Sequence, residues 1–218
     1  KVVLSANAVA QILPYFIFYG GGRREVDEQR SAYNQKLGQK LSDLPLNLYT
    51  DVHHKFLKSR SFGASGLKHK KHFMLENGAL SDLPVSRYWA QKNDLQPWEL
   101  GNLILDLKDP SEQGAAKSEQ ELIAGIEDGF YIKDIWYVRL VRPEDLTLTG
   151  MTRNGFYKIK NGKIHSGATY YRFNISLFDF LRNLKRVGPN ETFVGKMFDM
   201  HVPAVQIDDF ALASKSDA

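Results

Sequence analysis

The sequence predicts a β-rich α+β domain built from antiparallel sheets with about four helices, and three observations carry that expectation. Two β-like runs each turn at an Asn-Gly pair: Phe73 to Leu80 around Asn77-Gly78, and Tyr157 to Ile164 around Asn161-Gly162. Asn-Gly favours a type I′ hairpin turn because both central residues must take positive φ. The stretch from Phe130 to Val141 is rich in Tyr, Ile, Trp and Val, a composition that suits a long strand covered on both faces. Finally, Ser118-Glu119-Gln120-Glu121 forms a capping box ahead of Leu122, Ile123 and Ile126, which is a helix start signal.

In chain order, Val2 to Leu4 reads as a short strand, and Ser5 caps a helix whose apolar positions Val9, Ile12, Leu13 and Phe16 recur at helical spacing. Pro14 is expected to kink or shorten it. After Gly20-Gly21-Gly22, residues Val26, Tyr33, Leu37 and Leu41 fall on one helical face and predict a second helix. From Leu46 the pattern changes to short β-like runs. The capping-box helix is expected to close at Gly129, and Pro143 to end the long strand. Asn174 is expected to cap a fourth helix with Ile175, Phe178, Leu181, Leu184 and Val187 on one face, closed by Gly188. A last strand runs from Ala204 to about Leu212. Residues 1–212 read as a single domain, possible as part of a longer chain because the first residue is Lys1, and 213–218 read as a polar tail that frays. Asp109 to Ala116 reads as a surface loop.

Composition narrows the function. The 218 residues are 43% hydrophobic and 12% aromatic, too apolar for a disordered chain. The chain has no Cys, which removes disulfides, thiolate metal ligands and a thiol nucleophile, and fits a reducing, cytoplasmic compartment. Net charge is +4, a mild excess shared by many enzymes. Val2 to Tyr19 imitates a signal peptide, but Asn7, Gln11 and Pro14 interrupt it, and it reads as a buried strand and helix.

Chemistry-bearing patterns are sparse. His53 and His54 are adjacent, so in an extended chain they point apart; His69 and His72 sit among Lys68, Lys70 and Lys71, which would repel a cation; His165 and His201 stand alone. There is no H-E-x-x-H, G-x-S-x-G or Walker pattern. The sharpest anomaly is electrostatic. From Val52 to Leu75 no Asp or Glu occurs, while Lys55, Lys58, Arg60, Lys68, Lys70 and Lys71 are basic. Such a patch serves contact with phosphate or an acidic partner, or else is a solvated loop whose lysines discourage edge pairing. Aromatics for base stacking are few there, only Phe56, Phe62 and Phe73, so nucleic acid is not the expected partner.

Several stretches, in order, resemble the C-terminal half of the TldD/PmbA (TldE) family, once called modulators of DNA gyrase. They are Leu148 to Gly155 leading into Ile159 to Ile164, then Tyr171 to Asn174, and the ending Val202 to Phe210. Upstream, Lys36 to Leu41 and Met74 to Leu80 also match. The resemblance implies the family's α+β fold and a link to metallopeptidase assemblies that process unfolded or modified peptides. In that family the TldD type carries an H-E-x-x-x-H helix and a late Cys that hold the metal, and the PmbA/TldE type lacks them and pairs with TldD. Here the corresponding helix places Pro14, Tyr15 and Tyr19 at the H, E and H positions.

None of the three offers an imidazole ligand or a carboxylate base. The resemblance therefore implies a metal-free subunit with no catalytic residue of its own, with zinc in a TldD-like partner, an unfolded peptide as substrate, and no membrane. The alternative is a diverged homologue that binds a peptide or acidic partner, with Arg60, Phe62, Lys68, Lys70 and Lys71 as binding residues. Two departures stand out: the family's F-D-x-E-G loop reads Phe62-Gly63-Ala64-Ser65-Gly66, without either carboxylate, and its S-T-G-N loop is shortened to Leu100-Gly101-Asn102.

Overall fold

A computed structural model describes residues 1–109, 114–195 and 198–215. The chain begins with β1 (Val2–Leu4) and α1 (Ala6–Gly20), followed by α2 (Arg23–Asp27), β2 (Leu46–Thr50), β3 (His72–Glu76), β4 (Ala79–Leu80), α3 (Arg87–Asn93) and β5 (Leu103–Leu107). Next come α4 (Glu119–Ala124), β6 (Asp128–Arg142), a 3₁₀ turn (Pro143–Asp145), β7 (Thr147–Lys160), β8 (Lys163–Gly167), β9 (Tyr171–Ser176), α5 (Leu177–Arg182), β10 (Leu184–Phe193), β11 (Met200–Ile207) and β12 (Leu212–Lys215). The strands form one sheet in the order β12-β9-β7-β6-β1-β11-β5-β2-β3-β4, with β10 on β11 and β8 on β7. Most of its pairings are antiparallel, as the sequence predicts, and two, β1 with β6 and β11 with β5, are parallel.

β1 and α1 position the rest. Ser5 caps α1 by accepting from the Ala8 N–H, and Val9, Ile12, Leu13 and Phe16 are buried against the sheet. Pro14 lies inside α1 and the helix continues to Gly20; packing of that apolar face holds the helix across the missing donor. Both Asn-Gly turns form as the sequence predicts: Asn77 and Gly78 have φ of 52° and 80°, and Asn161 and Gly162 have φ of 48° and 71°.

Four expectations need correction. The helix predicted from Val26 to Leu41 stops at Asp27, because Gln29, Gln35 and Gly38 take positive φ; Tyr33 and Leu41 are buried from a turn-rich segment instead. The capping-box helix ends at Ala124 with Gly125 as its cap. Gly129 belongs to β6, where a Cβ would stand 2.3 Å from the Lys1 carbonyl oxygen, so its role is close approach to the first strand. The helix predicted from Asn174 to Gly188 splits into β9, α5 and β10: Ser176 rather than Asn174 is the cap, and Leu184 to Val187 pair with β11. The outer half of β6 is not covered on both faces, since Trp136, Tyr137 and Val141 are exposed.

Two smaller differences follow. The helix α3 falls where the sequence reads as β-like; its signals are Ser86, which accepts from the Trp89 N–H, and Asp94 in the left-handed conformation. Residues 212–215, assigned by sequence mostly to a fraying tail, pair with β9. Residues 110–113 of the expected Asp109 to Ala116 loop lie outside the described residues. Among the described residues no helix is long and apolar enough to cross a membrane.

Candidate functional site

Helix α1 carries the three positions that the resemblance marks. Pro14 is buried. The Tyr15 hydroxyl donates to the Val138 carbonyl of β6 at 2.7 Å, and its ring stacks on Tyr19 with centroids 5.6 Å apart. Burial foremost, with Tyr19 alongside, raises the Tyr15 pKa above the ordinary phenol value, opposed by Arg139, so the group stays neutral and cannot act as a base at neutral pH. Pro14 has no donor atom, Tyr15 spends its hydroxyl on the backbone, and the Tyr19 ring is exposed. This donor set does not fit zinc. Among the described residues, no group of three or more His, Asp or Glu could hold a metal ion.

Beside these residues runs a groove of about 340 Å³, lined by Ala10, Gln11, Pro14 and Tyr15 of α1, Tyr137 and Val138 of β6, and Met200 of β11. Two exposed rings border it, Tyr137 of β6, which lines it, and Tyr19 of α1, which stacks on Tyr15; Phe18 and Trp136, their chain neighbours, are exposed as well. The β6 rim owes its shape to a bulge. The β6–β7 register shifts between Trp136 and Arg139, and Tyr137 takes φ of 55°, a strained value for an aromatic residue. Successive strand residues ordinarily point to opposite faces. Here the bulge brings the Trp136 and Tyr137 rings to 5.7 Å from one another.

The basic loop is built differently. Its base is held by Asn102, fully buried, whose side chain accepts from the Thr50 hydroxyl at 3.0 Å and the Asp51 N–H at 2.8 Å and donates to the Asp51 and Leu57 carbonyls. Asn102 is thus the shortened loop's structural residue. The Phe62 to Gly66 segment turns back through a bridge between Phe62 and Lys68. A Cβ at Gly63 would stand 1.7 Å from Glu99 Oε1, and Ser65 donates to Glu99 Oε2 at 2.8 Å. A carboxylate from a distant segment therefore sits beside this turn, whose own residues carry none. Glu99 also lies 3.5 Å from the buried His69, and no local signal announces it.

The five loop residues do not form one cluster. Arg60, Phe62, Lys68 and Lys70 are exposed. Lys71, exposed as well, lies over the Tyr49 and Phe73 rings at 4.6 and 5.1 Å, close to Asp106. That carboxyl accepts from the Tyr49 hydroxyl at 2.8 Å, and burial, outweighing that bond, raises its pKa. His201, alone in the sequence, comes 5.0 Å from His54 and 5.3 Å from Phe56, centroid to centroid. Burial, and then His54, lower its pKa. His54, Phe56, Asp106 and His201 line a second cleft, of about 750 Å³, together with Lys117, Glu121 and Asn190.

Comparison with known proteins follows this geometry. The family described as PmbA/TldA metallopeptidase C-terminal domain matches residues 1–214. Among solved structures, TldE from Thermococcus kodakarensis has a TM-score of 0.83 at 16% identity, covering 98% of this chain and 50% of that one. A protein described as a candidate modulator of a DNA gyrase from Thermotoga maritima MSB8 has a TM-score of 0.80 at 21% identity, covering 97% and 49%. A similarly described protein from Bacteroides thetaiotaomicron VPI-5482 has a TM-score of 0.74 at 20% identity, covering 96% and 46%. The chain thus spans about half the length of the structures it matches, and at these identities the likeness is one of fold. No curated protein matches the chain.

Proposed function

The chain belongs to the family of PmbA/TldA metallopeptidase C-terminal domains, and on that premise we propose that it is a non-catalytic, PmbA/TldE-like subunit of a TldD-type metallopeptidase assembly in the cytoplasm. A TldD-like partner supplies zinc and base, and this chain supplies a chamber wall for unfolded or modified peptides. One observation supports the reading: α1 packs against the sheet with Pro14, Tyr15 and Tyr19, the residues that the resemblance equates with the H-E-x-x-x-H motif, offering no metal ligand, and with Tyr15 bonded to Val138. The exposed aromatic rim of the α1 groove supports an interface, because an apolar surface of this kind is normally covered by a partner or substrate.

The test is recovery of the tagged full-length protein from its native lysate, with identification of co-purifying chains. A stoichiometric TldD-type subunit supports the proposal. Recovery alone, at concentrations where related assemblies form, contradicts it and favours the second reading, a diverged module binding an acidic partner. That second reading draws on the exposure of Arg60, Lys68 and Lys70 beside Phe62, which is 66% exposed. Neutralising the three cations would abolish such binding and would leave assembly with the partner intact.

A further inference from the structure

Three guanidinium groups on the β6–β7–β9 surface beside Tyr137, which lines the α1 groove, are not ion-paired. Arg139 lies 4.1 Å over the Tyr137 ring and Arg153 lies 4.0 Å over the Trp136 ring. Arg172 of β9 faces Met151 of β7, which in turn faces Trp136, so the three residues form one cross-strand row. Among the described residues, none of these arginines takes part in an ion pair. The one carboxylate between Gly129 and Arg142 is Asp134, and its Oδ1 already accepts from the Asn7 and Gln11 side chains at 2.9 and 2.6 Å. Asp134 keeps its charge and stands across the strands from Arg153, so three guanidinium groups share one carboxylate and the local charge is net positive, on a surface that also exposes Trp136 and Tyr137.

The chain holds this arrangement at a cost, since the left-handed φ of Tyr137 is unfavourable for a residue with a side chain. Without the bulge, Trp136 and Tyr137 would fall on opposite faces of β6 and the paired platform would be lost. On the side of β6 that faces β1, pairing reaches only Ile132, so the backbone beyond it is not covered by another strand on that side. The Tyr15 hydroxyl takes one of its carbonyls, that of Val138.

We propose that this platform selects carboxylate-bearing peptide segments, with Arg139, Arg153 and Arg172 pairing the carboxylates and the Trp136 and Tyr137 rings packing the apolar stems. The inference rests on the reading of the groove as a chamber wall and names the substrate class of that wall. A guanidinium over a ring is a good receptor for a carboxylate because it keeps its hydrogen-bond donors free along its edge while the ring holds its plane. The basic loop is a poorer receptor. Two of its lysines lie over separate rings, Lys71 over Tyr49 and Phe73 and Lys55 over Phe56, and an ammonium offers a point charge without the planar, bidentate fork of a guanidinium.

The experiment measures anisotropy of fluorescent extended peptides rich in Glu and Leu against the same peptides with Gln for Glu, using the full-length protein. The Glu peptide is expected to bind at least tenfold more tightly than its Gln counterpart, with the difference shrinking as salt rises. Arg139→Gln and Arg153→Gln are each expected to weaken it about threefold, and the double variant about tenfold. Lys68→Gln with Lys70→Gln should leave it unchanged. Equal binding of the two peptides, no binding at all, or loss in the lysine variant with retention in the arginine variant overturns the proposal. Capture of the TldD-type partner is scored separately on the same variants. Failure of the unsubstituted protein to capture it sinks the subunit reading, and equal binding of the Glu and Gln peptides by a protein that does capture it sinks this one.

Discussion

Replacing Tyr15 with Phe removes one hydroxyl and nothing else, which makes it the sharpest probe of how α1 is tied to β6. That hydroxyl donates to the Val138 carbonyl at 2.7 Å, tying α1 to the bulged segment of β6. Removing the donor leaves a half-buried carbonyl without its partner, a loss of about 1 kcal/mol. For a protein of this size that lowers Tm by about 2–4 °C. Tyr19→Phe is the matched control: its ring stacks on Tyr15 and is 48% exposed, so the stacking survives and Tm should not move. Differential scanning calorimetry reads both. Peptide cleavage by the assembled complex should be unaffected by Tyr15→Phe, because the hydroxyl positions a strand and performs no chemistry. Equal melting temperatures for the two variants would refute the clasp. Loss of cleavage at unchanged stability would refute the structural assignment of Tyr15.

Further outcomes follow from the same geometry. Gly129→Ala sets a Cβ 2.3 Å from the Lys1 carbonyl oxygen and 2.8 Å from the Ile126 side chain, so it should cost about 1–3 kcal/mol through overpacking, whereas Gly167→Ala, with open space around it, should be nearly neutral; thermal melts compare them directly. His201 and His72 both have pKa values lowered chiefly by burial. The folded protein therefore binds fewer protons than the unfolded chain. Their contribution to stability is complete above the unfolded value of about 6.5 and is lost as pH falls through it toward the folded value. Melts between pH 8 and pH 5 should show this decline, and the His201→Gln variant should flatten it.

The sequence made legible what is encoded locally. Asn-Gly turns need two positive φ values wherever they occur, and both formed. Ser5 and Ser118 satisfy orphan N–H groups at the starts of α1 and α4 through side chains one turn away, so their caps were readable from neighbours alone. Helical periodicity misled where apolar spacing had another cause. Tyr33 and Leu41 reach the core from turns, and Leu184 and Val187 reach it from a strand whose partner, β11, follows in the chain. Burial selects apolar residues in either conformation, and only the strand partner distinguishes them.

The candidate site divides the same way. The absence of ligands at Pro14, Tyr15 and Tyr19 could be seen in the residues, because no side chain elsewhere can give a proline a donor atom. Other features came from tertiary structure. Glu99 fills the space beside Gly63 from 36 positions away, His201 meets His54 across the sheet, and the bulge at Tyr137 depends on register with β7. A run without acids from Val52 to Leu75 looked uniformly basic in sequence. Asp106, Glu99 and Asp82 approach it in space, with Asp82 acting on His72, and they divide that charge into separate pieces.

The most direct measurement is cleavage of an unfolded peptide and zinc content for this protein alone, for the proposed TldD-type partner alone, and for the two combined. The account expects zinc to remain with the partner, no cleavage by this protein alone, and cleavage by the combination that survives Tyr15→Phe. Zinc-dependent cleavage by this protein in the partner's absence would contradict it.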